Sequence, residues 1–123
     1  MTKLKEASTN NENRKYLEGK CPEVYASKII SGQWTLAICC YLIKGQLRFS
    51  EIKKSLPKIT DRMLTLELRK LEKKGLVKRT IIAEVPAKVE YQLTSIGKEL
   101  SSIINELGIW GEKHKKLNSK IAG

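Results

Sequence analysis

The residues best suited to chemistry lie between Thr60 and Lys73. Wound as a helix at about 100° per residue, Thr65, Leu66, Arg69 and Lys73 all fall within about 60° of Arg62. Leu64, Leu68 and Leu71 take the opposite side at i, i+4 and i+7. Two guanidiniums, an ammonium, a hydroxyl and an isobutyl group on one face suit a nucleic-acid groove. Arg donates two hydrogen bonds to guanine O6 and N7, Lys meets phosphate, and Thr or Leu touches thymine methyls. Thr60, Asp61 and Arg62 stand at the helix start, the end that points into the groove when such a helix reads DNA. A helix N-terminus also favours a nearby phosphate. Alone, this stripe would pass for a solvated basic face; its neighbours in sequence decide.

Further basic residues surround it. Arg79 and Lys88 flank a hairpin tip, where they would straddle the backbone or enter the minor groove, and Lys78 adds field. Arg48, Ser50, Lys53, Lys54 and Lys58 are phosphate contacts by the same logic. Thiol chemistry is limited to Cys21, Cys39 and Cys40. Cys21 precedes Pro22 at a helix start, beside Lys20, where the positive helix end favours the reactive thiolate. Cys39 and Cys40 are adjacent in an apolar helix and point about 100° apart, which disfavours a bond between them. One of the two is expected in the core as a small hydrophobe. With one His and no CxxC or HxxxH spacing, no metal is expected. His114 is expected at the end of the last helix, where a cation is welcome. No Gly-rich phosphate loop, nucleophile elbow, catalytic carboxylate pair or cofactor fingerprint occurs, so the sequence reads as no enzyme and carries no cofactor.

Positioning these groups requires a folded domain, and 123 residues with 41% hydrophobic content suffice for one. The net charge of +11 predicts an anionic partner, with nucleic acid ahead of membrane surface. Residues 44–90 hold 13 basic and 6 acidic side chains, whereas residues 21–43 hold one of each. The field is therefore concentrated on the middle of the chain. An odd cysteine count, no apolar leader at the N-terminus and no run of ~20 apolar residues suggest a cytoplasmic protein with no membrane span.

The element order follows from caps and periodicity. Residues 1–20 read as a flexible polar arm, with at most a short helix near Tyr16, and residues 21–123 as one domain. A helix starts at Pro22 and runs to about Ser31. Trp34–Ile43 is apolar almost all round and forms a buried helix. Leu47–Phe49 is a short strand, and Ser50 caps a short helix that Pro57 stops. Thr60 caps the helix of about 61–74, which Gly75 ends. Val77–Ile82 and the alternating Lys88–Leu93 are strands joined through 83–87. Thr94 caps a last helix reaching about His114 or beyond. The fold class is mainly α with a small β-hairpin wing (α+β), a winged helix-turn-helix.

Several pieces also match a known family. They are Cys21-Pro22, Gly32-Gln33-Trp34-Thr35-Leu36, Leu47-Arg48-Phe49-Ser50-Glu51-Ile52, Ile59-Thr60-Asp61-Arg62-Met63-Leu64 and Leu68-Arg69-Lys70-Leu71-Glu72. Gly75-Leu76-Val77-Lys78-Arg79, Val85-Pro86-Ala87-Lys88-Val89-Glu90-Tyr91, Leu93-Thr94 and Trp110-Gly111 follow in order. From Cys21 to His114 the chain resembles the HxlR-type winged helix-turn-helix regulators, relatives of the MarR group. The departure is Gln33, where a Lys is more usual. The resemblance implies a bacterial transcription regulator, a repressor or activator, acting as a homodimer on a partly palindromic double-stranded DNA operator. It also implies a link to small reactive effectors, with Cys21 as a redox or electrophile switch.

Leu100, Ile103, Ile104, Leu107, Trp110 and Gly111 recur at three- and four-residue steps, a stripe that serves the domain's own core or a partner. The family architecture favours a dimer interface there, completed by the N-terminal helix with Tyr25. The competing reading is a protein-interaction or RNA-binding winged helix. RNA readers display aromatic rings for stacking, and none clusters on the Arg62–Lys73 stripe. A membrane-surface protein would need bulky apolar residues beneath its basic face.

Overall fold

A computed structural model describes the backbone of residues 2–122 and the side chains of residues 9–120. The chain forms two compact units, residues 1–32 and 33–123.

The first unit is a pair of helices, α1 (Thr2–Lys20) and α2 (Pro22–Ile30). Residues 1–20 were expected as an arm with at most a short helix, because they show no apolar stripe. They are helical almost throughout: Lys, Glu, Leu and Ala favour helix without any periodicity. Cys21 joins the two helices. Its N–H donates to the Leu17 carbonyl at 2.7 Å, and its own carbonyl accepts from Val24 at 3.0 Å and Tyr25 at 3.2 Å. Cys21 is the extended N-cap of α2, and Pro22 fills the first helical position, whose N–H has no partner to lose. Lys28 pairs with Glu18 at 3.3 Å, tying α2 to α1.

The second unit holds α3 (Thr35–Leu42), β1 (Leu47–Arg48), α4 (Phe49–Ser55), α5 (Asp61–Lys73), β2 (Val77–Ile82), β3 (Lys88–Leu93), α6 (Ser95–Lys98) and α7 (Leu100–Ala122). The sheet runs β1-β3-β2, all antiparallel. Its core is built from Ile38, Cys39 and Leu42 of α3, Ile52 of α4, and Leu64, Leu68 and Leu71 of α5. Ile59, Leu76, Val77 and Leu93 complete it. Of the adjacent cysteines, Cys39 is buried and Cys40 exposed, as their angular separation requires. The mainly α architecture with a hairpin wing is the one expected.

Two junctions fix the frame around α5. Its C-terminus closes in a Schellman motif: Gly75 N–H donates to Glu72 O at 3.0 Å and Leu76 N–H to Leu71 O at 3.0 Å. Gly75 adopts φ +78°, which L side chains resist. Thr94 then locks the hairpin's exit to its entrance. Its N–H donates to Leu76 O at 3.0 Å, its hydroxyl donates to Gly75 O at 2.6 Å, and that hydroxyl accepts from Gly97 N–H at 3.2 Å.

Three expectations need correction. The short helix α4 starts at Phe49 rather than after Ser50, with Arg48 as its N-cap. The Glu51 carboxylate accepts from Arg48 N–H at 2.9 Å, so the acid in the first turn selects the boundary. The last helical stretch breaks at Glu99 and then runs on to Ala122. His114 accordingly lies inside α7 rather than at its end, stacked on Trp110 with ring centroids 5.4 Å apart.

Candidate nucleic-acid interface

The helix α5 is amphipathic in the sense the sequence requires. Leu64, Leu68 and Leu71 are buried, while Arg62, Leu66, Arg69 and Lys73 are exposed and Thr65 is half-buried. Its start is held from two sides. Thr60 is the extended N-cap, its hydroxyl accepting from Met63 N–H at 3.1 Å. Lys53 reaches across from α4, donates to the Ile59 carbonyl, and lies 4.0 Å from the Asp61 carboxylate. Expected as a phosphate contact, Lys53 is instead a brace for the turn between α4 and α5. Arg48, Ser50, Lys58, Thr60 and Asp61 are all exposed. Thr65 donates its hydroxyl to Asp61 O at 2.8 Å, which leaves a lone pair and a methyl for an outside partner.

The sheet brings Arg79 to α5. Arg79 pairs with Tyr91 in the β2–β3 register, and Tyr91 pairs with Leu47 of β1. Directly opposed residues share a sheet face, so these three form one row. Arg79 and Tyr91 join Thr65, Leu68, Arg69 and Glu72 around a cleft of about 170 Å³. Two guanidiniums and two hydroxyls therefore converge between helix and hairpin, with Glu72 as the one acid among the lining residues. Tyr91 and Glu72 were not anticipated as site residues. The signal for Tyr91 was present, since reflecting the hairpin about Val85 pairs position 79 with 91.

Other expected residues are not brought to this cleft. Lys88 pairs with Ile82, which places it on the opposite face of the hairpin from Arg79. Its ammonium is engaged by Glu84 at 3.0 Å. Arg48 opposes Glu90, again on the far face. The tip residues 83–87 are exposed, Val85 fully so, and the Val85–Pro86 peptide is cis.

This arrangement of short helix, turn, long helix and hairpin has known relatives. Residues 29–119 match the HxlR-like helix-turn-helix family. The chain belongs to that family. It is 45% identical over 101 residues to the HTH-type transcriptional regulator YdeP of Bacillus subtilis strain 168, spanning 82% of this chain and 79% of YdeP. Among solved structures, the redox regulator HypR in its reduced form is similar, with a TM-score of 0.76 and 38% identity. The likeness covers 80% of this chain and 98% of HypR. Reduced YodB from B. subtilis is similar at a TM-score of 0.70 and 32% identity, covering 76% of this chain and 92% of YodB. A further YodB structure is quinone-bound. YdeP and YodB are transcriptional regulators, and HypR is a redox regulator.

Two other places are singled out by the sequence. Cys21 is half-buried at the N-cap of α2, whereas burial and the neighbouring Cys40 push the Cys39 thiol up to about 11. On α7, Ile103, Leu107 and Trp110 are 49%, 44% and 64% exposed, while Leu100, Ile104 and Gly111 are half-buried. Tyr25 of α2 is exposed. Among the described residues, no helix is long and apolar enough to cross a membrane, and no group of three or more His, Cys, Asp or Glu side chains is placed to hold a metal.

Proposed function

We propose that this chain is a sequence-specific double-stranded DNA-binding transcription regulator, with α5 in the major groove and the β2–β3 hairpin on the backbone or in the minor groove. The observation that carries this is that exposed Arg69 of α5 and exposed Arg79 of β2 line one cleft, with Arg62 exposed on the same face of α5. Arg62, Leu66 and Arg69 supply base-edge chemistry, while Lys73, Arg79 and the helix start at Thr60 supply phosphate contacts. Exposed Arg48, Ser50 and Lys58 extend the backbone contacts outward.

The regulator works as a homodimer, each copy placing one α5 in a half-site of a partly palindromic operator. Exposed apolar residues on α7 support that reading, because a seam repeating at three- and four-residue steps suits a second helix. Cys21 serves as the responsive thiol toward an oxidant or electrophile. Its half-buried helix-cap position and the redox character of HypR and YodB support this role.

The test is binding to duplexes enriched by the protein from a random pool, against scrambled duplexes, across a salt series. A preference of ~10³-fold or more, with affinity falling steeply in salt, supports a specific regulator. Equal binding to both duplexes, or binding to neither, refutes it.

A further inference from the structure

Within the core of residues 33–123, two polar side chains are buried together: Thr35 is 3% exposed and Glu67 is 8% exposed. The Thr35 hydroxyl donates to Glu67 Oε2 at 3.3 Å, joining the first residue of α3 to the middle of α5. The other carboxylate oxygen lies 3.7 Å from the Lys70 ammonium, which stands at the exposed edge of α5. The first turn of α3 has no acid of its own, and its N-cap Trp34 makes no side-chain cap hydrogen bond. Glu67 thus brings to the positive end of α3 the charge that its own sequence does not supply.

Stability alone does not account for a carboxylate here. Glu67 sits three residues after Leu64 and four before Leu71, on the buried stripe, where Leu would continue the apolar face. Replacing buried charge with well-packed apolar groups is often neutral or stabilising. A leucine contact, however, is non-directional and lets a helix roll against its neighbour, whereas a hydrogen bond between named atoms fixes one orientation. The outer residues of α5 depend on that orientation. A roll of about 10° moves an atom on the ~6 Å helix surface by about 1 Å, enough to spoil a bidentate Arg–guanine pair.

We propose that Glu67, held by Thr35, is a positioning residue that sets the roll of α5 and hence the discrimination between DNA sequences, without touching DNA. This rests on the DNA-reading function proposed above. Thr35→Val, Glu67→Gln and Glu67→Leu are compared with the unaltered protein on enriched and scrambled duplexes. One salt concentration is used, at a temperature where circular dichroism shows each protein folded.

Glu67→Leu melts no lower than the unaltered protein, yet it and Thr35→Val each lose roughly tenfold or more in the enriched-over-scrambled ratio. Affinity for the scrambled duplex is unchanged, which a general loss of structure would not leave intact. Glu67→Gln keeps an acceptor for Thr35 and retains most of the ratio. Thr35→Val is nearly isosteric and carries the test by itself if Glu67→Leu does not fold. A ratio within twofold of the unaltered protein in the folded variants, or equal losses on both duplexes, overturns the assignment while leaving the DNA reading in place. An unaltered protein that enriches no sequence overturns the DNA reading and this assignment with it.

Discussion

Arg79 stands directly opposite Tyr91 in the β2–β3 ladder, and both line the same cleft as Arg69 of α5. Lys88, only a few residues away in the hairpin, lies on the other face with its charge met by Glu84 at 3.0 Å. The two wing cations are therefore inequivalent. Arg79→Ala should weaken binding to all duplexes about equally and reduce the slope of log affinity against log salt by about 1. Lys88→Ala should change that slope less, and Glu84→Ala, which frees Lys88, should strengthen binding. Equal losses for Arg79→Ala and Lys88→Ala in a salt titration would show that the Glu84 pair does not hold in the complex.

Stability should be far more sensitive at one glycine than at another. A Cβ built on Gly97 would lie 2.3 Å from the Leu76 carbonyl oxygen and 3.3 Å from Leu93 Cβ. That oxygen already accepts from Thr94 N–H, so it is not free to move aside. Gly97→Ala is expected to cost about 1–3 kcal/mol, lowering the melting temperature by ~4–8 °C for each kcal/mol. Gly108 on α7 meets nothing within 4 Å at the same construction, so Gly108→Ala should stabilise by up to about 1 kcal/mol through helix propensity. Thermal melts of the two variants decide it, and a harmless Gly97→Ala would mean that α6 shifts to accept the methyl.

The helix-turn-helix and wing were legible in the sequence because each rests on local signals. Thr60, Gly75 and Thr94 mark boundaries through hydrogen bonds formed within a few residues, and Leu64, Leu68 and Leu71 repeat at helical spacing. What escaped were contacts set by tertiary approach. Glu67 reads as a solvated acid unless its angular position between Leu64 and Leu71 outweighs its charge. Lys53 reads as a phosphate contact because nothing local shows the Ile59 carbonyl within its reach. Residues 1–20 defeat a periodicity argument altogether, since α1 forms without an apolar stripe.

The adjacent thiols Cys39 and Cys40 should behave oppositely. Cys39 is buried and its pKa is raised to about 11, by burial first and Cys40 second. Cys40 is exposed and should alkylate readily, while Cys39 should label only after unfolding. A raised thiol pKa also links to stability: the folded state keeps a proton that the unfolded state loses first. This contribution is therefore complete below about pH 9 and declines as the pH rises toward 11. Cys39→Ala should flatten that decline in denaturant titrations between pH 8 and 11, and an unchanged decline would place its origin elsewhere.

Cys21 differs from both, being half-buried at the N-cap of α2 with its backbone hydrogen-bonded to Leu17, Val24 and Tyr25. Adduct or disulfide formation there would load the junction between two helices rather than the surface of one. Treatment with diamide or a quinone should change DNA affinity severalfold in the unaltered protein and leave Cys21→Ser unaffected. Cys40→Ser should retain the response. A response that persists in Cys21→Ser and disappears in Cys40→Ser would transfer the switch to α3.

The exposed face of α7 makes the last prediction. Ile103, Leu107, Trp110 and Leu117, with His114 stacked on Trp110, repeat at alternating steps of four and three residues along a helix of 23 residues. That spacing forms a narrow straight seam, the pattern of a helix that packs lengthwise on another helix. A monomer would leave these side chains in water at a cost of roughly 25 cal/mol per Å² of apolar surface left uncovered. Leu107→Asp places a charge in the middle of the seam, where a partner helix would have to desolvate it, at a cost of several kcal/mol per dimer. Sedimentation equilibrium should then show a dimer for the unaltered protein and a folded monomer for Leu107→Asp. Its DNA binding should fall by far more than the loss of any single contact, because one α5 would no longer be tethered to a second half-site. A Leu107→Asp protein that remains dimeric would move the interface away from this seam.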